Sequence, residues 1–375
     1  MGALKASHVT TTENVARTAL AAVHERLGAK MSPFGGFLMP IQYAGILDEH
    51  RAVRTAAGMF DLSHMGQFVA EGEGVAQWLD GLTVNAVASM KPYQARYNIF
   101  TNERGGALDD AIIYRFPTHW LIVVNAANTY KMWRWLSSRL PPGVRLRNRT
   151  PESALIAIQG PRAVELLQPL TGVDLSAVKY YFATEGGVCG IPAEIARTGY
   201  TGEDGFELFV KASDAERLWN ALAREGARVG LLPAGLGARD VLRLEAGMPL
   251  YGHELEEDIT PLQAGLDGFV KLDKPEFVGK QALAAQRAAG DYDRVVGLVM
   301  EGKAPARAGY RVWRAGARIG EVRSGSPAPA LGGKNIATAL VRSTAAAPGT
   351  AVQVEIRGRR EPATVVPLPF YKRRR

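Results

Sequence analysis

Cysteine occurs once in this chain, at Cys189. A lone cysteine closes no internal disulfide and completes no paired-cysteine metal motif, so a reducing, cytoplasmic setting is expected. Beside Gly190 it reads as a small buried hydrophobe. Histidine is sparse too. His8, His24, His50, His64, His119 and His253 are scattered, with no His-Glu-x-x-His pair, and no metal site is expected. No apolar run approaches the ~20 residues of a membrane span. The first eight residues have no apolar core of signal-peptide type. Membrane association is therefore not expected. A Gly-x-Ser-x-Gly elbow and a Walker phosphate loop are both missing. What remains is carboxylates, tyrosines and arginines beside glycine-rich loops. That inventory suits holding a polar heterocycle and steadying positive charge, not acyl or phosphoryl transfer.

The apolar share is 47% of 375 residues, which fills more than one core and implies two or three domains. The net charge is +8. Part of the excess closes the chain in Lys372-Arg373-Arg374-Arg375, and part lies at Arg294, Arg307, Arg311, Arg314, Arg318 and Arg323. Such an excess steers acidic partners or anionic ligands. The arginines are dispersed and no nucleic-acid module accompanies them, so nucleic acid is not the expected partner.

Residues 1–17 are polar and aperiodic and read as a loose arm. A short helix spans 18–27. The stretch 30–40 is too rich in Pro and Gly for one regular element, yet apolar enough to be packed. Residues 46–57 read as a helix stopped by Gly58. Residues 61–149 alternate strands and helices like a self-contained α+β unit. From about Arg294, six short alternating runs separated by Gly/Pro turns predict a small β-barrel or sandwich.

Three clusters stand out. In Gly105-Gly106-Ala107-Leu108-Asp109-Asp110-Ala111-Ile112-Ile113-Tyr114, two glycines permit a tight turn and an apolar strand follows. Period two puts Asp110, not Asp109, on the face of Ile112 and Tyr114. That carboxylate is placed to line a pocket; two aspartates solvating a turn is the simpler alternative. The second cluster, Arg197 to Leu208, is a shaped loop entering a strand in which Glu207 faces opposite to Phe206 and Leu208, as a solvent-facing residue commonly does. The third, Pro233-Ala234-Gly235-Leu236-Gly237-Ala238-Arg239-Asp240, opens a helix. Its Gly-Leu-Gly is too short for a dinucleotide fingerprint, and no strand clearly leads into it.

Taken in order with Pro33-Phe34-Gly35-Gly36, residues 58–65, Val124-Asn125-Ala126-Ala127-Asn128, Leu250-Tyr251-Gly252 and the closing Pro369-Phe370, these clusters resemble the aminomethyltransferase, or T-protein, of the glycine cleavage system. The likeness runs over roughly residues 19–371 without a large gap. It implies an α+β, three-domain cloverleaf around a central folate channel, with a small C-terminal β-barrel. The implied domains are 18–60 plus 150–285, an inserted unit 61–149, and a barrel 286–375. The implied reaction moves the aminomethyl carbon from the lipoyl arm of a carrier protein to tetrahydrofolate, releasing ammonia and forming 5,10-methylenetetrahydrofolate. By the same resemblance Asp110 is the catalytic carboxylate, and Arg239 orients the reacting end of the folate or pairs with Asp110. Glu207 anchors the pterin, and Met65, Tyr97, Ile112, Tyr114, Asn125 and Tyr200 are pocket positions. A folate-dependent demethylase of an N- or S-methyl compound on the same scaffold is the alternative. A folate-binding protein of iron–sulfur assembly is disfavoured, since 274–281 carries no cysteine.

Overall fold

A computed structural model describes residues 15–373. Its centre is a six-stranded sheet whose strands come from distant parts of the chain. Strand Ala57–Asp61 lies beside Ser153–Gln159, with Ile156 opposite Asp61, so the chain leaves this sheet at Asp61 and returns at Ser153. Gly205–Lys211, Ile191–Ala196 and Ala183–Val188 extend the sheet on one side, and Leu231–Pro233 joins Ala57–Asp61 in parallel on the other. Helix Ala215–Gly226 buries Ala215, Leu218, Trp219 and Leu222. That spacing is the single apolar stripe of a surface helix, and it closes the sheet's core.

Between Asp61 and Ser153 the chain builds a five-stranded sheet in the order Ala95–Thr101, Ala107–Arg115, Trp120–Val124, Gly66–Glu71, Arg145–Asn148. Helices Val75–Leu82 and Thr129–Ser137 bury Leu79, Met132 and Leu136 into a separate core. The C-terminal strands Arg294–Met300, Arg311–Arg314, Ala317–Ala328, Lys334–Val341, Ala351–Ile356 and Arg359–Val366 close into a barrel. All six alternating runs of the sequence are barrel strands. Closure leaves the short strands no open edge.

Several expectations need correction. Residues 1–14 of the expected loose arm lie outside the described residues, but Ala16–Arg17 is a strand, parallel to Phe37–Gln42. The packed stretch 30–40 is a hairpin of Lys30–Phe34 and Phe37–Gln42. Gly58 stops no helix: the helix ends at Thr55, and Gly58 sits inside a strand where a Cβ would meet Val53 Cγ2 at 2.3 Å. Cys189 is only half-buried. It shares a two-residue hairpin turn with Gly190, both at positive φ, as the twist-matching turn demands. A strand does lead into the third cluster. Leu231–Pro233 precedes helix Leu236–Glu245, and Gly235 N donates to Glu49 Oε2 at 2.9 Å. A buried carboxylate thus fills the helix start that a phosphate would need.

Candidate active site

One cavity of about 1030 Å³ opens between the two sheets, and Met65, Tyr97, Asp110, Ile112, Tyr114, Asn125, Tyr200, Glu207 and Arg239 all line it. No barrel residue is among its lining. Its volume sits at the upper end of small-molecule pockets.

The strand Ala107–Arg115 supplies the first wall. Gly105 takes φ +85°, and at Gly106 a Cβ would lie 1.8 Å from Glu257 O, so the turn must be glycine to bring the strand this close. Alternation then turns Asp110, Ile112 and Tyr114 into the cavity and encloses Asp109 behind them. Tyr97, opposite Ile112 on the next strand, donates its OH to Asp110 Oδ2 at 2.9 Å. Asn125 Nδ2 donates to Asp110 Oδ1 at 2.7 Å. Burial lifts the Asp110 carboxyl above the usual carboxylate range, against the lowering effect of these two donors. Burial and the Asp110 charge push Tyr97 far up, so its hydroxyl stays a donor.

Glu207 lies across the cavity on strand Gly205–Lys211, only 9% exposed. Its side chain faces the cavity rather than bulk solvent, because the other wall covers that face of the sheet. Thr198 Oγ1 donates to Glu207 Oε2 at 2.5 Å and Tyr114 OH to the same oxygen at 3.1 Å. Among the described residues nothing bonds Oε1. Two hydroxyls therefore orient the carboxylate and leave one oxygen for a ligand.

Arg239 is on helix Leu236–Glu245, with its guanidinium 4.5 Å from the centre of the Tyr200 ring. It forms no salt bridge among the described residues, and the expected pairing with Asp110 is absent. Stacking on Tyr200 holds the guanidinium instead. Tyr200 is itself tied by its OH to Pro249 O.

Three residues at this site carry roles that no sequence expectation gave them. His64 is 2% exposed and lines the cavity, yet its buried Nδ1 has no partner. Burial, helped by the Arg239 charge and opposed by Asp61, pushes it down to about 4, so it is a neutral imidazole. Arg243, one helical turn beyond Arg239, is buried against Glu254 at 3.0 Å and Ser324 at 2.8 Å and locks the helix to the barrel. Its i,i+4 spacing from Arg239 was the available signal. Asp109 has no such signal, since alternation points it away from the ligand.

The GCVT N-terminal domain matches residues 20–274, and the glycine cleavage T-protein C-terminal barrel domain matches 294–372. The chain is 48% identical over 360 residues to an aminomethyltransferase of Geobacillus thermodenitrificans, covering 95% of this chain and 98% of the relative. It is 50% identical over 366 residues to that of Streptomyces coelicolor, covering 96% and 98%. Among solved structures, glycine cleavage system aminomethyltransferase T from Bartonella henselae superposes with a TM-score of 0.89 at 33% identity, over 96% of this chain and 99% of that one. By two matching domain families and relatives of near-complete overlap, the chain belongs to the glycine cleavage T-protein family of aminomethyltransferases.

Proposed function

We propose that the chain transfers the aminomethyl carbon from the lipoyl arm of a carrier protein to tetrahydrofolate, with Asp110 as the catalytic carboxylate. The observation that carries this reading is that Asp110 and Glu207 face one cavity, with both carboxylates already oriented by hydroxyl or amide donors. The two nitrogens that receive the carbon belong to the folate, which is the acceptor substrate. Folate suits the donor set. The pterin edge offers two parallel N–H groups, and Glu207 keeps an oxygen unbonded to receive them.

Overall, two protons leave the accepting nitrogens, one goes to the departing amine to give ammonia, and one goes to the lipoyl sulfur. Asp110 has two tasks in this balance. Its charge steadies the positive charge that develops at the transferred carbon, in a walled site where reorganisation is small. Its carboxylate also takes the proton shed by the attacking amine. Tyr97 and Asn125 fix both Asp110 oxygens. Arg239, stacked on Tyr200, orients the reacting end of the folate. Met65, Ile112 and Tyr114 supply the apolar wall that excludes water. The basic excess of the chain suits an acidic carrier.

The test is Asp110→Asn, assayed by ammonia release with aminomethyl-lipoyl carrier and tetrahydrofolate. Asn keeps the shape and loses the charge, so kcat should fall about 100-fold or more while folate affinity stays within a few-fold. Normal turnover would remove Asp110 from this role. Running the same assay with methylated donors separates the demethylase alternative, for which those donors would be the better substrates.

A further inference from the structure

Asp109 is 0% exposed and lies on the face of its strand away from the cavity. No cation pairs with it among the described residues. Its carboxylate is held by one turn instead. Asn125 N donates to Oδ2 at 3.1 Å, Asn125 Nδ2 to Oδ1 at 2.8 Å, and Asn128 Nδ2 to Oδ1 at 2.7 Å. The Asn125 amide that grips Asp109 is the one that donates to Asp110 Oδ1 at 2.7 Å and to Asp110 O at 3.2 Å. One NH₂ group thus bridges two adjacent carboxylates. An enclosed carboxylate without a cation is expensive. Anchoring a turn needs only a neutral acceptor, so a titratable group here calls for a reason beyond folding.

We propose that Asp109 is a positioning residue for Asp110, acting through the shared Asn125 amide and as the holder of the pair's proton. The inference rests on the reading of Asp110 as the catalytic carboxylate. The geometric part is direct. Asn125 is pulled between the two carboxylates, which fixes where its NH₂ meets Asp110, while Tyr97 fixes the other oxygen. The electrostatic part follows from adjacency. Burial first, and then the Asp110 charge, lift Asp109 to about 8, against the pull of Asn125 and Asn128. Two carboxylates this close bind a proton as a pair, more firmly than either would alone. The pair therefore keeps a proton near the reacting centre at neutral pH.

The groups around the pair do not obscure its titration. Tyr97, Tyr181, Tyr200 and Tyr251 are all pushed up, first by burial. Burial raises Glu254, but Arg243 and its hydrogen bonds outweigh this and keep it low. His64 is pushed down to about 4. His253 also lines the cavity and bonds Arg323 O through Nδ1. It is present alike in parent and variant, so it cancels in their difference.

The experiment compares kcat against pH for the parent and Asp109→Asn at saturating folate and carrier, with thermal unfolding and tetrahydrofolate binding measured alongside. In the parent the pair loses its last proton as pH rises through about 8, and an asparagine cannot, so the inflection of kcat there should disappear while the acid limb set by Asp110 stays in place. Folate affinity should stay within about threefold, because Asp109 does not touch the cavity. A folded variant that keeps the inflection near pH 8, whatever its rate, overturns the proposal and leaves Asp109 a structural anchor. If Asp109→Asn does not fold, Asn128→Ala gives the same reading. It removes one donor to the Asp109 anion, so Asp109 holds its proton more tightly and the inflection near pH 8 moves up; an unmoved inflection again refutes. Asp110→Asn keeps the two readings apart. If that variant retains turnover, the role of Asp110 itself is wrong. If it is inactive and Asp109→Asn keeps the inflection near pH 8, only the present inference falls.

Discussion

Replacing Glu207 by Gln changes one atom and removes one charge, and the structure allows its effect to be worked out. Glu207 Oε2 accepts from Thr198 and Tyr114, and Oε1 is unbonded among the described residues. A glutamine can keep its carbonyl oxygen toward those two hydroxyls, so the fold should lose little. Its NH₂ then takes the place of Oε1 and faces the cavity. There it meets the N–H groups of the pterin edge, donor against donor. One charge-assisted hydrogen bond, about 1.5–3 kcal/mol, is lost outright, and its partner bond is weakened by loss of charge. The total is about 3 kcal/mol, or about 100-fold in affinity at 1.4 kcal/mol per decade. Calorimetric titration with tetrahydrofolate reads this directly, and thermal unfolding checks that the variant is intact. At saturating folate, kcat should fall much less than affinity, since Glu207 is not at the reacting nitrogens. A Kd within threefold of the parent would show that the folate head does not sit on Glu207, and the orientation argued above would have to be reversed.

Two further outcomes test other parts of the argument. Tyr97→Phe removes the 2.9 Å donor that favours the charged form of Asp110, so the acid limb of kcat should move to higher pH; a limb that moves down or stays refutes the role given to that hydroxyl. Glu194 receives a two-pronged grip from Arg149, at 3.0 and 2.6 Å, joining the inserted sheet to the central one. Burial raises its carboxyl, but His119 and Arg149 outweigh this and hold it at about 2, against an ordinary 4.5. Because the folded value is depressed, the stabilisation is complete above pH 4.5 and is lost as pH falls toward 2. Glu194→Gln should therefore lower stability by about 3 kcal/mol at neutral pH, with the gap to the parent closing in acid. Denaturant unfolding at several pH values measures it, and a gap independent of pH would refute the assignment.

Local rules carried much of the fold. The barrel strands were legible because each alternates apolar and polar residues between Gly/Pro turns. The hairpin of Ala183–Val188 and Ile191–Ala196 was not. Its first strand carries Gly186 and Gly187 and its second Pro192, so neither offers a clear pattern, and pairing with Gly205–Lys211 is what makes them strands. Gly58 misled for a related reason. It follows a helix as a stop signal would, but its smallness serves close packing against Val53.

At the site, alternation alone settled that Asp110 shares a face with Ile112 and Tyr114, because the period of a strand is a property of the backbone. Sequence could not decide what that face looks at. Glu207 had the pattern of a solvent-facing residue and became a cavity residue only when another sheet was laid over it. Pairing with Asp110 was one of two roles expected of Arg239, and its guanidinium stacks on Tyr200. Asp109, turned away by the rule that turned Asp110 inward, became a partner of Asp110 only through Asn125, which arrives from a different strand end. Residue order thus determined which side chains share a face, while the packing of distant segments decided which charges meet, because periodicity acts along one strand and electrostatics acts across space.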